Sequence, residues 1–193
     1  SRGLGDVYKR QLMFLYDKLF SEYTVTVSQL LFSADTLQNH EEKEHLVDTF
    51  NQLLDYGALP IINENDSVYI EELLNGDNDC LSAMVATLIN ADLLVMLTDT
   101  YGLYDSNPNE NENAKLINVV DEINDDIYSI AGGASEKGTG GFQTKIKAAE
   151  IATSEGIPVI IMNGEKPTDL YKVLSGESIG TYLSLIHISE PTR

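Results

Sequence analysis

Two apolar runs constrain this chain more than any other feature. They are Leu93-Leu94-Val95-Met96-Leu97 and the stretch from Ile157 to Met162. A strand with one wet face alternates apolar and polar residues. A run with no polar position must be covered on both faces, as happens inside a parallel sheet. Each run follows a helical pattern. Before the first, Leu81, Met84, Val85, Leu88 and Ile89 recur at helical spacing over residues 79–90. Before the second, Ile146, Ala149, Ile151 and Ala152 do so over residues 142–155. Strands that alternate with helices predict an α/β fold, a three-layer αβα sandwich around a mostly parallel open sheet.

The remaining pattern agrees. Residues 12–22 carry a helical stripe (Leu12, Leu15, Tyr16, Leu19, Phe20), and residues 24–32 are β-branched and apolar enough for a strand. Residues 39–56 predict a long helix stopped by Gly57. Residues 59–62 read as a short buried strand, 116–123 as another, 125–130 as a helical turn, 167–174 as a helix and 179–183 as a last strand. The Asn- and Glu-rich stretch 106–113 reads as a solvated loop. The ends, residues 1–11 and 184–193, fit neither neighbouring pattern and read as non-native tails around a domain of residues 12–183.

Charge narrows the function. Twelve Lys and Arg stand against 31 Asp and Glu, a formal net charge of −19 in 193 residues. Such a surface repels nucleic acid and anionic membranes, so neither is an expected partner. An anionic substrate would need a local cation to overcome the global field. Cys80 is the single cysteine, so no internal disulfide can form, which suits a reducing cytoplasm. No apolar run is long enough to span a bilayer, and no leader-like apolar segment precedes Leu12. His40, His45 and His187 are not spaced with Cys80 as a zinc site, and no metal-binding residues are assigned.

Polar clusters follow the predicted strands, where open α/β sheets collect ligands. Asn63-Glu64-Asn65-Asp66 mixes amide donors with carboxylates, a set suited to a zwitterion, although an Asx turn would use the same residue types. Thr98-Asp99 ends the first apolar run. Gly76-Asp77-Asn78-Asp79 stands at a helix start and reads either as a crowded cap or as a ligand site. Gly138-Thr139-Gly140-Gly141-Phe142-Gln143-Thr144-Lys145 places free N–H groups, flexible glycines and a lysine at another helix start, which favours phosphate. Its spacing is neither Walker A nor a dinucleotide fingerprint, and a plain flexible turn remains the other reading.

Taken together, residues 62–68 (INENDSV), 76–83 (GDNDCLSA), 93–108 (LLVMLTDTYGLYDSNP) and 138–152 (GTGGFQTKIKAAEIA) resemble the amino acid kinase family, in the branch that acts on glutamate. Relatives acting on acetylglutamate or uridylate share the TD and glycine-loop elements but are not expected to carry the NEND and GDND pair. The resemblance implies ATP-dependent, Mg²⁺-requiring phosphorylation of the γ-carboxylate of L-glutamate, the first step of proline synthesis. Proline would be the feedback inhibitor, in a cytoplasmic homo-oligomer.

By motif, the resemblance implies that Asp66 and Asn78 contact glutamate, with Asn63 and Asp77 alongside. Thr98, Asp99, Thr139, Gly140, Gly141, Phe142, Gln143, Thr144 and Lys145 would contact ATP. Asp79 would organise the lysine, and Lys145 would stabilise the transferring phosphoryl group. The family's first strand, with its phosphate-binding lysine, has no counterpart here. The 193-residue chain by itself is therefore expected to turn over little or no substrate. A related amino acid or carbamate kinase, or a non-catalytic segment that only binds glutamate, proline or nucleotide, are the alternatives.

Overall fold

The computed structural model describes residues 2–32, 39–64, 78–108, 110–132 and 140–184. The chain forms two compact units, Ser1–Asn75 and Gly76–Arg193.

The first unit holds α1 (Arg2–Ser21), β1 (Thr26–Phe32), α2 (His40–Asp55) and β2 (Ala58–Glu64). β1 and β2 pair in parallel, from Thr26 opposite Ala58 to Phe32 opposite Glu64. A parallel pair needs a crossover, and α2 supplies it. Asn39 caps α2 by accepting hydrogen bonds from the Glu41 and Glu42 amides at 3.0 and 3.5 Å. Phe50 is its buried anchor. Gly57 (φ +69°) ends it as the sequence predicts. α1 differs from expectation. It begins at Arg2 and passes through residues 11 and 12 without a break, because Arg, Leu, Lys and Gln in that stretch are good helix formers.

The second unit holds α3 (Asn78–Leu88), β3 (Leu94–Thr98), β4 (Val119–Val120), α4 (Asp125–Gly132), α5 (Gly140–Ser154), β5 (Val159–Asn163), α6 (Asp169–Leu174) and β6 (Thr181–Leu183). The strand order is β3-β5-β6-β4. β3 with β5 and β4 with β6 are parallel, while β5 with β6 is antiparallel. Pairing is thus mostly parallel and the class α/β, as predicted. The strand expected over 116–123 shrinks to Val119–Val120, with Leu116 making only an isolated bridge to Tyr104.

β5 is buried over its first four residues: Val159, Ile160, Ile161 and Met162 are all at 9% exposure or less. Ile160 and Met162 pack with Val173 of α6 and with Leu93, Val95 and Ile179. Val159 and Ile161 face the opposite way by strand alternation. The expectation that residues 93–97 lie covered on both faces is corrected. Met96 is buried, but β3 is an edge among the described strands and Leu97 is 55% exposed.

Helices α3 and α5 pack against each other, and both are rich in buried small residues: Cys80, Ala83 and Ala86 on one, Ala148, Ala149 and Ala152 on the other. Small side chains let two backbones approach closely while keeping core density. Each helix then hands the chain to its strand through the same turn. The Ala91 amide donates to the Ala86 carbonyl at 2.9 Å and that of Asn90 to Thr87 at 3.2 Å. The Ile157 amide donates to Ala152 at 3.0 Å and that of Gly156 to Thr153 at 2.9 Å. Asn90 (φ +48°) and Gly156 (φ +80°) occupy the left-handed position that this Schellman turn requires. A tight reversal makes helix and strand antiparallel. The N-termini of α3 and α5 therefore lie at the carboxyl ends of β3 and β5.

Candidate active site at the strand ends

That common edge gathers the polar motifs of the second unit. Asp79 lies in the first turn of α3 and Lys145 in the second turn of α5. The Lys145 ammonium donates to the Asp79 carboxylate at 2.7 Å. The Thr144 hydroxyl donates to the same oxygen at 3.3 Å. The Lys145 and Asp79 side chains are 16% and 21% exposed, so the pair is largely, though not fully, withdrawn from water. A largely buried ion pair is costly to break from one side, because the survivor is left without its counter-charge. The Ser82 hydroxyl donates to the Asp79 carbonyl at 2.6 Å and stiffens the same turn.

The strand ends form the second part. Thr98 and Asn163 are register partners at the ends of β3 and β5. The Thr98 hydroxyl donates to the Asp99 carboxylate at 3.1 Å. The Asn163 amide donates to the Asp99 carbonyl at 3.0 Å, and its own oxygen accepts from the Glu165 amide at 2.8 Å. Gly164 donates its amide to the Thr98 carbonyl at 2.9 Å. Asp99 is thereby fixed by its backbone through Asn163 and by its side chain through Thr98.

Beyond Asp99 the chain passes through buried Gly102 and Leu103 into a mostly exposed loop that is internally bonded. The Asp105 carboxylate accepts from the Lys115 amide at 2.9 Å and the Ser106 hydroxyl at 3.0 Å. These bonds, the Lys115 amide first, hold its carboxyl below the usual aspartate range. Asn111 donates to the Ser106 hydroxyl at 2.9 Å and accepts from the Asn113 amide at 3.0 Å. The Asn-rich composition is thus used for side-chain turns that close the loop on itself.

Between α4 and α5, the Tyr128 hydroxyl donates to Glu150 at 2.6 Å. Burial and then this carboxylate push the phenol well above its ordinary value. Gln143 reaches the Tyr128 carbonyl at 3.5 Å. These bonds tie α4 to α5 and so steady the helix that carries Lys145.

Of the residues singled out from sequence, the second unit brings Asp79, Thr144 and Lys145 into one cluster. It places Thr98 and Asp99 at the strand edge. Asn78 opens α3, and Gly140, Gly141, half-buried Phe142 and exposed Gln143 form the start of α5. Asn63 is half-buried near the end of β2, in the first unit. Asp66, Asp77 and Thr139 lie outside the described residues. Sequence reasoning missed Asn163 and Thr181. Asn163 carried a usable signal, since Asn163-Gly164 ends an apolar run just as Thr98-Asp99 does.

The chain matches the Amino acid kinase family over residues 2–163. It belongs to that family. Among its relatives are amino acid kinases named glutamate 5-kinase. That of Clostridium acetobutylicum is 51% identical over 171 residues, covering 88% of this chain and 64% of the relative. That of Clostridium perfringens is 49% identical over 175 residues, covering 88% and 65%. That of Streptococcus agalactiae serotype III is 46% identical over 188 residues, covering 95% and 70%. The chain thus spans just under two thirds of the length of the first two. Solved structures share the amino acid kinase fold at low identity. Isopentenyl phosphate kinase of T. acidophilum superposes with a TM-score of 0.60 at 19% identity, over 90% of this chain and 66% of that one. UMP kinase from Ureaplasma parvum gives 0.57 at 14%, over 87% and 64%.

Proposed function

We propose that this chain supplies the nucleotide and phosphoryl-handling part of a kinase that phosphorylates the γ-carboxylate of L-glutamate with ATP. The observation that carries the reading is the Asp79–Lys145 pair, held where two helix N-termini meet the strand ends. The relatives' name supports the choice of acceptor.

In the reaction a carboxylate oxygen attacks the γ-phosphorus. A new O–P bond forms, the bond to the bridging oxygen breaks, and ADP leaves beside an acyl phosphate. Nucleophile and phosphate are both anionic, so catalysis rests on positioning and charge neutralisation. In this reading Lys145 faces the phosphoryl oxygens while Asp79 and Thr144 hold its aim. The first N–H groups of α5 add their dipole. Thr98 and Asp99 contact the nucleotide, and Asn78 reaches toward the acceptor from the start of α3.

Mg²⁺ fits as a passenger on the phosphates. Among the described residues no group of three His, Cys, Asp or Glu could hold a metal. Mg²⁺ is commonly held by one or two carboxylates plus substrate phosphates, and Asp99 offers one such carboxylate at this edge. When bound, the ion would neutralise phosphate charge. The resemblance adds L-proline as feedback inhibitor, a homo-oligomeric state and a cytoplasmic setting to the same proposal. Among the described residues no helix is long and apolar enough to cross a membrane.

Two measurements test the reading. Calorimetry of the 193-residue chain with MgATP should show binding that Lys145→Met weakens by about tenfold or more. Absence of binding to the unaltered chain would sink the proposal. The acceptor is tested on a chimera completed with those residues of the Clostridium acetobutylicum relative that this chain does not match. ATP, glutamate and hydroxylamine should give γ-glutamyl hydroxamate, the trapped form of the acyl phosphate. Faster turnover with carbamate, UMP or isopentenyl phosphate would assign another acceptor.

A further inference from the structure

Thr181 is completely buried, yet its side chain is polar and lies in the last described strand, far in sequence from every motif above. Its hydroxyl accepts a hydrogen bond from the Leu103 amide at 2.8 Å and donates to the Ile117 carbonyl at 2.6 Å. Leu103 and Ile117 are also bonded directly, the Ile117 amide donating to the Leu103 carbonyl at 2.8 Å. The hydroxyl therefore closes the two ends of the loop that starts just after Thr98 and Asp99.

The surrounding backbone is shaped to admit it. At Gly102 (φ +148°) a Cβ would lie 2.6 Å from the Thr181 hydroxyl oxygen. At Gly180 (φ +77°) a Cβ would run into the Ile161 carbonyl of β5. Glycine at both positions lets β6 press against β5 and lets the loop backbone press against β6. A core position of this kind is ordinarily filled by an apolar side chain. A hydroxyl with both its donor and its acceptor used, between two glycines, points to a built contact.

We infer that Thr181 is a positioning residue for the nucleotide loop. Its hydroxyl fixes the Gly102–Leu103 backbone and thereby the path of the chain that leaves Asp99. The Thr100 hydroxyl, which donates to the Gly102 carbonyl at 3.3 Å, links the two ends of that short path. Asn163 holds the Asp99 end from β5. Asp99 is therefore held from β5, and the loop that follows it from β6. This inference rests on the proposed role of Thr98 and Asp99 in binding ATP.

The test compares Thr181→Val, which keeps the shape and deletes the hydroxyl, with Thr181→Ser, which keeps the hydroxyl. In the 193-residue chain, amide exchange at Leu103 should rise in Thr181→Val while amides of α5 and β5 stay protected. MgATP affinity should fall about tenfold in Thr181→Val and stay within about twofold of the parent in Thr181→Ser. Nucleotide affinity equal to the parent in Thr181→Val overturns the inference. So does loss in Thr181→Ser as large as in Thr181→Val, which would mean that the methyl group matters instead. Exchange rising throughout α5 and β5 also overturns it, since Thr181 would then support the whole unit. An unaltered chain that binds no MgATP sinks the functional reading itself, and the inference with it. An unaltered chain that binds, with variants that bind alike, sinks the inference alone.

Discussion

Asp79 and Lys145 stand 66 residues apart in sequence and 2.7 Å apart in space, and both side chains are mostly withdrawn from water. Asp79→Asn leaves an ammonium with a neutral partner in a poorly solvated place. It should cost about 1–3 kcal/mol of stability. Lys145→Met removes the other half, and the double variant should cost clearly less than the sum of the two. Denaturant melts of all three variants measure the coupling, and strict additivity would mean that the pair contributes nothing. A second residue-scale expectation concerns acid. Asp105 has its carboxyl lowered from 3.8 by the Lys115 amide and the Ser106 hydroxyl. A lowered folded value means that the loop closure is complete above the ordinary pKa and is lost as pH falls through the lower, folded one. The Lys115 amide proton resonance should titrate with a midpoint below 3.8, and Asp105→Asn should abolish that titration. Both charged residues of the pair were legible because each sits in a crowded polar motif at a helix start. Thr181 was not. A threonine in a short strand has high β propensity and needs no further explanation until its partners are seen.

At the scale of elements, the helix-to-strand exits decide which way each motif faces. α1 and α6 end in the same kind of turn as α3 and α5. The Val25 amide donates to the Phe20 carbonyl at 3.1 Å and that of Glu177 to Lys172 at 3.0 Å. Gly176 (φ +91°) fills the left-handed position in α6, but α1 puts Thr24 there at φ +60°. A β-branched residue is strained in that region. Thr24→Gly should therefore raise stability by about 1 kcal/mol, the released strain outweighing the entropy of glycine. A melting temperature that falls instead would show that the Thr24 side chain makes a compensating contact. Helices and buried strands were readable because period 3.6 and unbroken apolar runs are strong local signals. The short β4 and the exposed Leu97 were not, since strand pairing and edge position are set by partners distant in sequence. The early start of α1 escaped because its first residues, Gly3 and Gly5 among them, give neither a clear apolar stripe nor a strong helix propensity.

At the scale of the molecule, a net charge of −19 opposes the anionic nucleotide proposed for the candidate site. The two effects act over different distances. Repulsion by the acidic surface reaches as far as the Debye length, about 10 Å at 0.1 M salt and about 30 Å at 0.01 M. Attraction by Lys145 acts at contact, from a side chain only 16% exposed, where screening is weak. Added salt should therefore remove the long-range barrier more than it weakens the final contact. The association rate of MgATP should rise between about 0.01 and 0.15 M salt, with a smaller change in the dissociation rate. Stopped-flow binding at several ionic strengths measures both rates. In Lys145→Met the association rate should rise with salt at least as steeply, since the local attraction is gone and the global repulsion remains. An association rate that falls as salt is added would mean that the local cation dominates the encounter as well as the complex. The acidic surface would then face away from the approach path, a distribution of charge that the sequence total cannot express.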